Sequence, residues 1–238
     1  RMLNLFKDEL KEYSSINIKS CREIRFSHGG AMFAVAHLGQ INVYKFYTGE
    51  NTPELCFKRH ISTVRCINWY DDDSGFTSGG WDGYVYSWNL NPGANLAVVG
   101  DKEKLENPQY QHFAKNYQFN AVCNQHGSKT RVYASGMDKN IKVIDKGNLW
   151  LTFEVGVNVS QLVLMNHSSK PILLAGVNEN DRPGSSMIIN EAFQRIAEVQ
   201  AHSAPLERLR VSPDNKFVYS TGQDYVVGIF EVVGKDKP

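Results

Sequence analysis

Cysteine is scarce in this sequence: four residues in 238, at positions 21, 56, 66 and 123, with no CxxC pair among them. The paired spacing of a structural zinc site is missing, and scattered thiols suit a reducing compartment better than a disulfide framework. Cys56 and His60 could form half of a metal site, but a cysteine on an outer strand beside a histidine in a structural network is the simpler reading. Charge of one sign is lacking too. Lys and Arg number 26 against 25 Asp and Glu, so there is no basic surplus of the kind that binds nucleic-acid backbones. Apolar runs such as ILLAGV at 172–177 fall far below the roughly 20 residues a membrane span needs. The opening RMLNLFKDEL has no signal-peptide layout. Neither nucleic acid nor membrane is an expected partner, and the cytosol or a cytosolic structure is the expected location.

What is present is a repeated phrase. SGGWDGYVYSW, Ser78 to Trp88, places an Asp-Gly pair between two short runs of aromatic and β-branched residues. Asp-Gly at such a junction is a hairpin signal, because the tight turn needs positive φ and glycine accepts it. Ser135-Gly136-Met137-Asp138 stands before NIKVIDK and Thr221-Gly222-Gln223-Asp224 before YVVGIFEV, with weaker copies at AVAHLGQINVYKF and LLAGV…SMIIN. Aligned on Ala36, Gly80, Gly136, Gly176 and Gly222, the copies are 44, 56, 40 and 46 residues apart, and each has an upstream hairpin with a polar turn. A period near 40 to 45 residues with four strands per repeat predicts an all-β fold, a β-propeller, and Trp88 with its upstream Asp82 resembles the WD-repeat phrase, which implies a WD-repeat β-propeller. No helix beyond about two turns is expected, save within residues 101–118.

On that plan residues 1–232 form the propeller segment and 233–238 a polar tail. Inner strands begin near residues 22, 62, 119, 160 and 205. RMLNLFK and KEYSSINIKS read as the last two strands of a preceding blade, and the chain stops before its final blade has a fourth strand. Five blades plus part of another imply a fragment of a larger propeller, seven-bladed or tandem. The alternative is a five-bladed ring that KEYSSINIKS closes by completing the last blade.

His60, Ser78, Asp82 and Trp88 sit at the positions where WD-repeat proteins place a hydrogen-bonded tetrad, so the resemblance implies one here, in which an imidazole, a hydroxyl and an indole would satisfy a buried carboxylate. His202, Ser220 and Asp224 repeat the set with Phe230 at the indole position. The third repeat keeps Asp138 but has Ala134 and Ile144, and the fourth has no turn aspartate. The set also resembles a Ser-His-Asp hydrolase, yet it recurs by blade and no G-x-S-x-G elbow is present, so no catalytic residue, cofactor or metal is expected. Asp71-Asp72-Asp73 lacks the spacing of a calcium loop and reads as a solvated hairpin turn.

Candidate partner contacts are Trp81, Met137 and Gln223, each just before its turn aspartate, with Asp181 and Arg182 in the segment Asn178 to Ser186. That segment and Asp101 to Lys115 read as insertions on one rim if ANLAVVG is an outer strand. If the outer strand lies nearer QHFAKNY, the first insertion moves to the opposite rim.

The order of phrases MLNLFKDELKEYSSINIKSCREIRFSHGGAMFAVAHLGQINVY, SGGWDGYVYSWNL and VQAHSAPLERLRVSPDNKFVYSTGQD resembles the WD-repeat region of the cilia- and flagella-associated protein 57 family. The resemblance is strongest over residues 1–90 and 195–232. It implies the C-terminal part of a WD-repeat region that precedes a coiled coil, through which self-association is possible. It also implies an axonemal adaptor with inner-arm dynein components and other axonemal subunits as partners. Residues alone stop at a propeller that binds proteins, and an adaptor in a trafficking coat or ubiquitin-ligase complex is the competing assignment.

Overall fold

The computed structural model describes residues 2–5, 10–48, 52–90, 108–167, 170–179 and 182–233. Among them every regular element is a β-strand. A two-stranded ribbon, β1 (Met2–Leu5) and β2 (Leu10–Ser14), comes first. Blade 1 holds β3 (Cys21–Phe26), β4 (Met32–His37), β5 (Gln40–Lys45) and β6 (Leu55–Phe57). Blade 2 holds β7 (Val64–Trp69), β8 (Gly75–Gly80), β9 (Tyr84–Asn89) and β10 (Tyr110–Phe113). Blade 3 holds β11 (Phe119–Asn124), β12 (Arg131–Gly136), β13 (Asn140–Asp145) and β14 (Asn148–Glu154). Blade 4 holds β15 (Val159–His167), β16 (Lys170–Glu179), β17 (Arg182–Ile189) and β18 (Arg195–Gln200). Blade 5 holds β19 (Leu206–Val211), β20 (Phe217–Gly222) and β21 (Val227–Glu231).

Neighbouring strands in each blade are antiparallel, and the first strands β3, β7, β11, β15 and β19 pack one upon the next around a common axis. The core lies between blades. Ala34, Val43 and Phe57 of blade 1 meet Ile67, Phe76 and Trp88 of blade 2, and comparable apolar layers join each later pair of blades. Because a middle strand is covered on both faces, it reads as near-continuous small or apolar residues. The whole of β8, GFTSGG, is buried. A side chain on Gly80 would sit 2.6 Å from both His60 Nδ1 and Asp82 Oδ1, which explains the small residue just before the aspartate turn.

Three expectations require correction. β2 pairs with β1 and not with β21, so KEYSSINIKS does not close a five-bladed ring. The outer strand of blade 2 is Tyr110–Phe113, paired with β9, not ANLAVVG, which lies outside the described residues. β9 thus ends and β10 begins on the rim opposite Trp81, and residues 91–107 between them lie outside the described residues. Finally, Asn178 to Ser186 is no loop replacing a tight turn. β16 and β17 run on as an extended hairpin to the pair Glu179↔Arg182, with a bulge after Val177. Residues 234–238 of the expected tail lie outside the described residues.

One rim carries the turns between second and third strands, together with the links that enter each blade. The other carries the turns between first and second strands. There Asp71, Asp72 and Asp73 form a hairpin turn, as expected, but their carboxylates also hold both neighbouring blades. Asp73 accepts the His28 and Gly29 N–H groups of blade 1, each at 2.7 Å. Asp71 accepts the Gly127 N–H at 2.6 Å and pairs with His126 of blade 3 at 2.9 Å, while Lys129 reaches Asp72 at 2.5 Å. Hydrogen bonds from Lys129 and Ser74 lower the Asp72 carboxyl to about 2. Asp73→Ala should cost about 1 kcal/mol, the scale of a partly exposed charged hydrogen-bond set. Faster amide exchange at His28 and Gly29 together with a lower urea midpoint would show it.

Candidate functional site: turn aspartates and the rim they organise

His60 arrives in the link from β6 to β7, and Asp82 stands in the turn after β8. His60 Nδ1 lies 2.9 Å from Asp82 Oδ2, and Nε2 lies 2.8 Å from Ser78 Oγ. Trp88 Nε1 donates to the same Oγ at 2.9 Å. A single proton arrangement satisfies the chain: Nδ1–H donates to the carboxylate, the serine hydroxyl donates to Nε2, and the serine oxygen accepts the indole N–H. Asp82 also accepts the Ile61 and Tyr84 N–H groups at 3.0 and 3.2 Å. Burial pushes its carboxyl pKa up, but the hydrogen bond from His60 and these two N–H groups outweigh it, so the value is lowered. The distances match those of a hydrolase triad. Ser78, however, is wholly buried and its oxygen is already taken by Trp88, so no substrate reaches it.

Blade 5 repeats the geometry without the indole. His202 lies 3.0 Å from Asp224 and 2.8 Å from Ser220, and Asp224 accepts the Ser203 and Val226 N–H groups. Phe230, at the indole position, packs toward the place of a side chain on Gly228.

Two further members escaped the sequence reading. In blade 3, Tyr117 donates to Asp138 at 2.5 Å, and Lys142 pairs with the same carboxylate while lying 3.9 Å from the Tyr117 ring centre. Burial and the adjacent Asp138 raise the Tyr117 hydroxyl, whereas Lys142 and Tyr117 together lower Asp138 against the effect of burial. In blade 4, Asn178 donates to Leu206 O at 2.8 Å and accepts Leu206 N–H at 2.6 Å, joining blade 4 to the inner strand of blade 5. Both positions had a signal. Each histidine precedes its aspartate by 22 residues and Tyr117 precedes Asp138 by 21. Asn178 follows Gly176 as Asp82 follows Gly80.

Of the candidate contacts, Trp81 is 38% and Met137 64% exposed on the rim with the aspartate turns. The Trp81 indole lies beneath Arg65, 5.1 Å from its guanidinium, and donates to Asn120 at 3.3 Å. Gln223 is exposed and donates to Glu207. Asp181 and the side chain of Arg182 lie outside the described residues. The buried thiols are inert: burial raises Cys66 to about 12 and raises Cys123 as well.

Four-stranded blades packed around an axis, one latched by a histidine, an aspartate, a serine and a tryptophan and another by the first three, define a WD-repeat β-propeller, and this chain is one. The family model described as WD domain, G-beta repeat matches residues 51–89. The structure is similar to the β-propeller domain of Cps50 (Swd1) from Myceliophteria thermophila, with a TM-score of 0.74 at 13% identity over 94% of this chain and 69% of that one. Within the class, the chain is a relative of the cilia- and flagella-associated protein 57 proteins. It is 30% identical to protein 57 A of Tetrahymena thermophila over 97% of its length and 25% identical to the Mus musculus protein over 99%. It spans about a fifth of those relatives, 20% and 18% of their lengths respectively.

Asp82→Ala should cost about 2 to 4 kcal/mol in urea unfolding, because it strands buried donors. Asp224→Ala should cost less, since its carboxylate is more exposed (11%) and Ser220 holds no indole. Asp82 and Asp138 have folded values below the ordinary 3.8. Their stabilisation is complete above that value and is lost as pH falls through the lower, folded one. The urea midpoint should therefore drop below about pH 4, and less steeply in Asp82→Asn.

Proposed function

We propose that this chain is part of a non-enzymatic scaffold in the ciliary or flagellar axoneme that helps assemble or regulate inner-arm dyneins. The observation that carries the reading is similarity along almost the whole chain to proteins named for cilia and flagella. Residues 1–232 act as the propeller segment, and the rim bearing the aspartate turns meets the partner. In support, that rim presents Trp81 and Met137 from adjacent blades, a rigid aromatic beside a flexible thioether, the residue types enriched in interface centres. Beneath them the latches fix the turns, so the anchors are held in place before a partner arrives.

The test uses the full-length protein. Trp81→Ala with Met137→Ala should leave the melting temperature within about 2 °C, as expected for substitutions at partly exposed positions, while reducing the fraction that stays with salt-washed microtubule doublets. Full retention of the folded double variant would move the contact elsewhere. Absence of the wild-type protein from doublets would overturn the axonemal assignment itself.

A further inference from the structure

On the rim opposite Trp81, the inner strands of all five blades end around a cavity of about 490 Å³. Strand alternation sets its chemistry. Glu23 and Arg25 lie two apart on β3, and Arg208 and Arg210 lie two apart on β19, so each pair shares a face. The four converge: Glu23 lies 2.7 Å from Arg25 Nε, 3.4 Å from Arg208 Nη2 and 3.5 Å from Arg210 Nη2. Three guanidiniums thus share one buried carboxylate, and Asp71, which also lines the cavity, supplies a second negative charge, leaving one positive charge over. The Asp71 carboxylate is turned to His126 and Gly127, and Asp73 is held by His28 and Gly29, so neither occupies the arginines. Burial and the neighbouring Arg25 push Arg210 down to about 10, and burial also lowers Arg25. Arg210 therefore remains charged at neutral pH, and burial makes the charge on both side chains costly, a cost that an incoming anion would relieve.

A surplus of fixed charge between low-dielectric walls attracts a counter-charge more strongly than it would in open water. Guanidinium forks match carboxylates in particular. The remaining wall includes Phe26, Leu164 and Pro213, apolar surface that a hydrated inorganic anion would not use. We propose that this axial cavity binds an acidic peptide segment of a partner protein, its carboxylates held by Arg25 and Arg210 and an apolar side chain of the segment seated against Phe26 and Leu164. Glu23 is the resident competitor. The site is on the opposite rim from Trp81 and Met137 and does not depend on their role.

The test measures fluorescence anisotropy of a labelled Glu-Glu-Leu-Glu-Glu peptide titrated with the full-length protein at low ionic strength. Binding should weaken about tenfold or more in Arg210→Gln and in Arg25→Gln, the loss of one charge-assisted contact. It should tighten at least threefold in Glu23→Gln and stay unchanged in Trp81→Ala. Should Arg25→Gln fail to fold, Arg210→Gln together with Arg208→Gln, both on partly exposed side chains, carries the test. Lack of peptide binding by the wild type, wild-type affinity in folded Arg210→Gln, or unchanged or weaker binding in folded Glu23→Gln would each overturn the proposal. So would equal binding of a Glu-Glu-Gly-Glu-Glu peptide combined with displacement by tripolyphosphate at matched charge, which would assign the cavity to free polyanions.

Discussion

The constraint on which the rest of this structure depends is the buried carboxylate in a tight turn. Asp82 sits where the chain reverses between the second and third strands of a blade, and it must be satisfied there without water. The histidine that satisfies it is borne on the link from the preceding blade, 22 residues earlier. One ion-dipole cluster therefore fixes a turn, a link and, through Ser78 and Trp88, the two middle strands. Glycine at position 80 is the geometric condition of the arrangement, because any side chain there would occupy the space of the imidazole and the carboxylate.

The blades show how far this solution can be varied. The requirement is a polar group in the turn that reaches across to the chain entering a blade, and the identity of that group follows its neighbours. Where the link offers a histidine, the turn has aspartate. With Tyr117 in place of the histidine, Asp138 keeps its charge and recruits Lys142. In blade 4 the acid becomes an amide, and Asn178 bonds both backbone groups of Leu206 instead. A neutral amide needs no cation and can both donate and accept, which suits a site where the partner is backbone. In blade 1 the corresponding turn holds Leu38, and the chain entering that blade packs Ile16 and Ile18 against Phe33, Val35 and Tyr44.

Much of this was legible in advance because the propeller writes its plan as a period. Asp-Gly turns, glycine before them and alternating apolar residues after them are local signals, and repetition multiplies their weight. The histidine, serine and tryptophan were legible for the same reason. What local signals do not encode is where a long insertion is absorbed. Apolar alternation in ANLAVVG and in YQHF are equivalent on the page, and pairing with β9 is decided by tertiary register at Tyr110↔Ser87. Likewise NENDRPGSS has the composition of a loop, yet the two strands stay in register as far as the pair Glu179↔Arg182. Tyr117 and Asn178 have neither the histidine nor the aspartate of the repeated phrase, and only position marks them: Tyr117 stands 21 residues before its aspartate, where each histidine stands 22 before its own, and Asn178 stands two after Gly176.

The turn at Asp71 to Asp73 has a consequence for how the ring bears load. Its carboxylates grip the corresponding turn of blade 1 on one side and of blade 3 on the other, at a radius close to the axis. Three blades are thereby coupled by several short bonds where the lever arm is smallest, while their outer strands are tied more sparingly, through the 3.2 Å contact of His112 on β10 with the Gly147 carbonyl of blade 3. A torque applied at the periphery would splay the outer edges before it separated the hubs, much as a fan opens about its pivot. The chain around this turn is built to flex outside and stay pinned within.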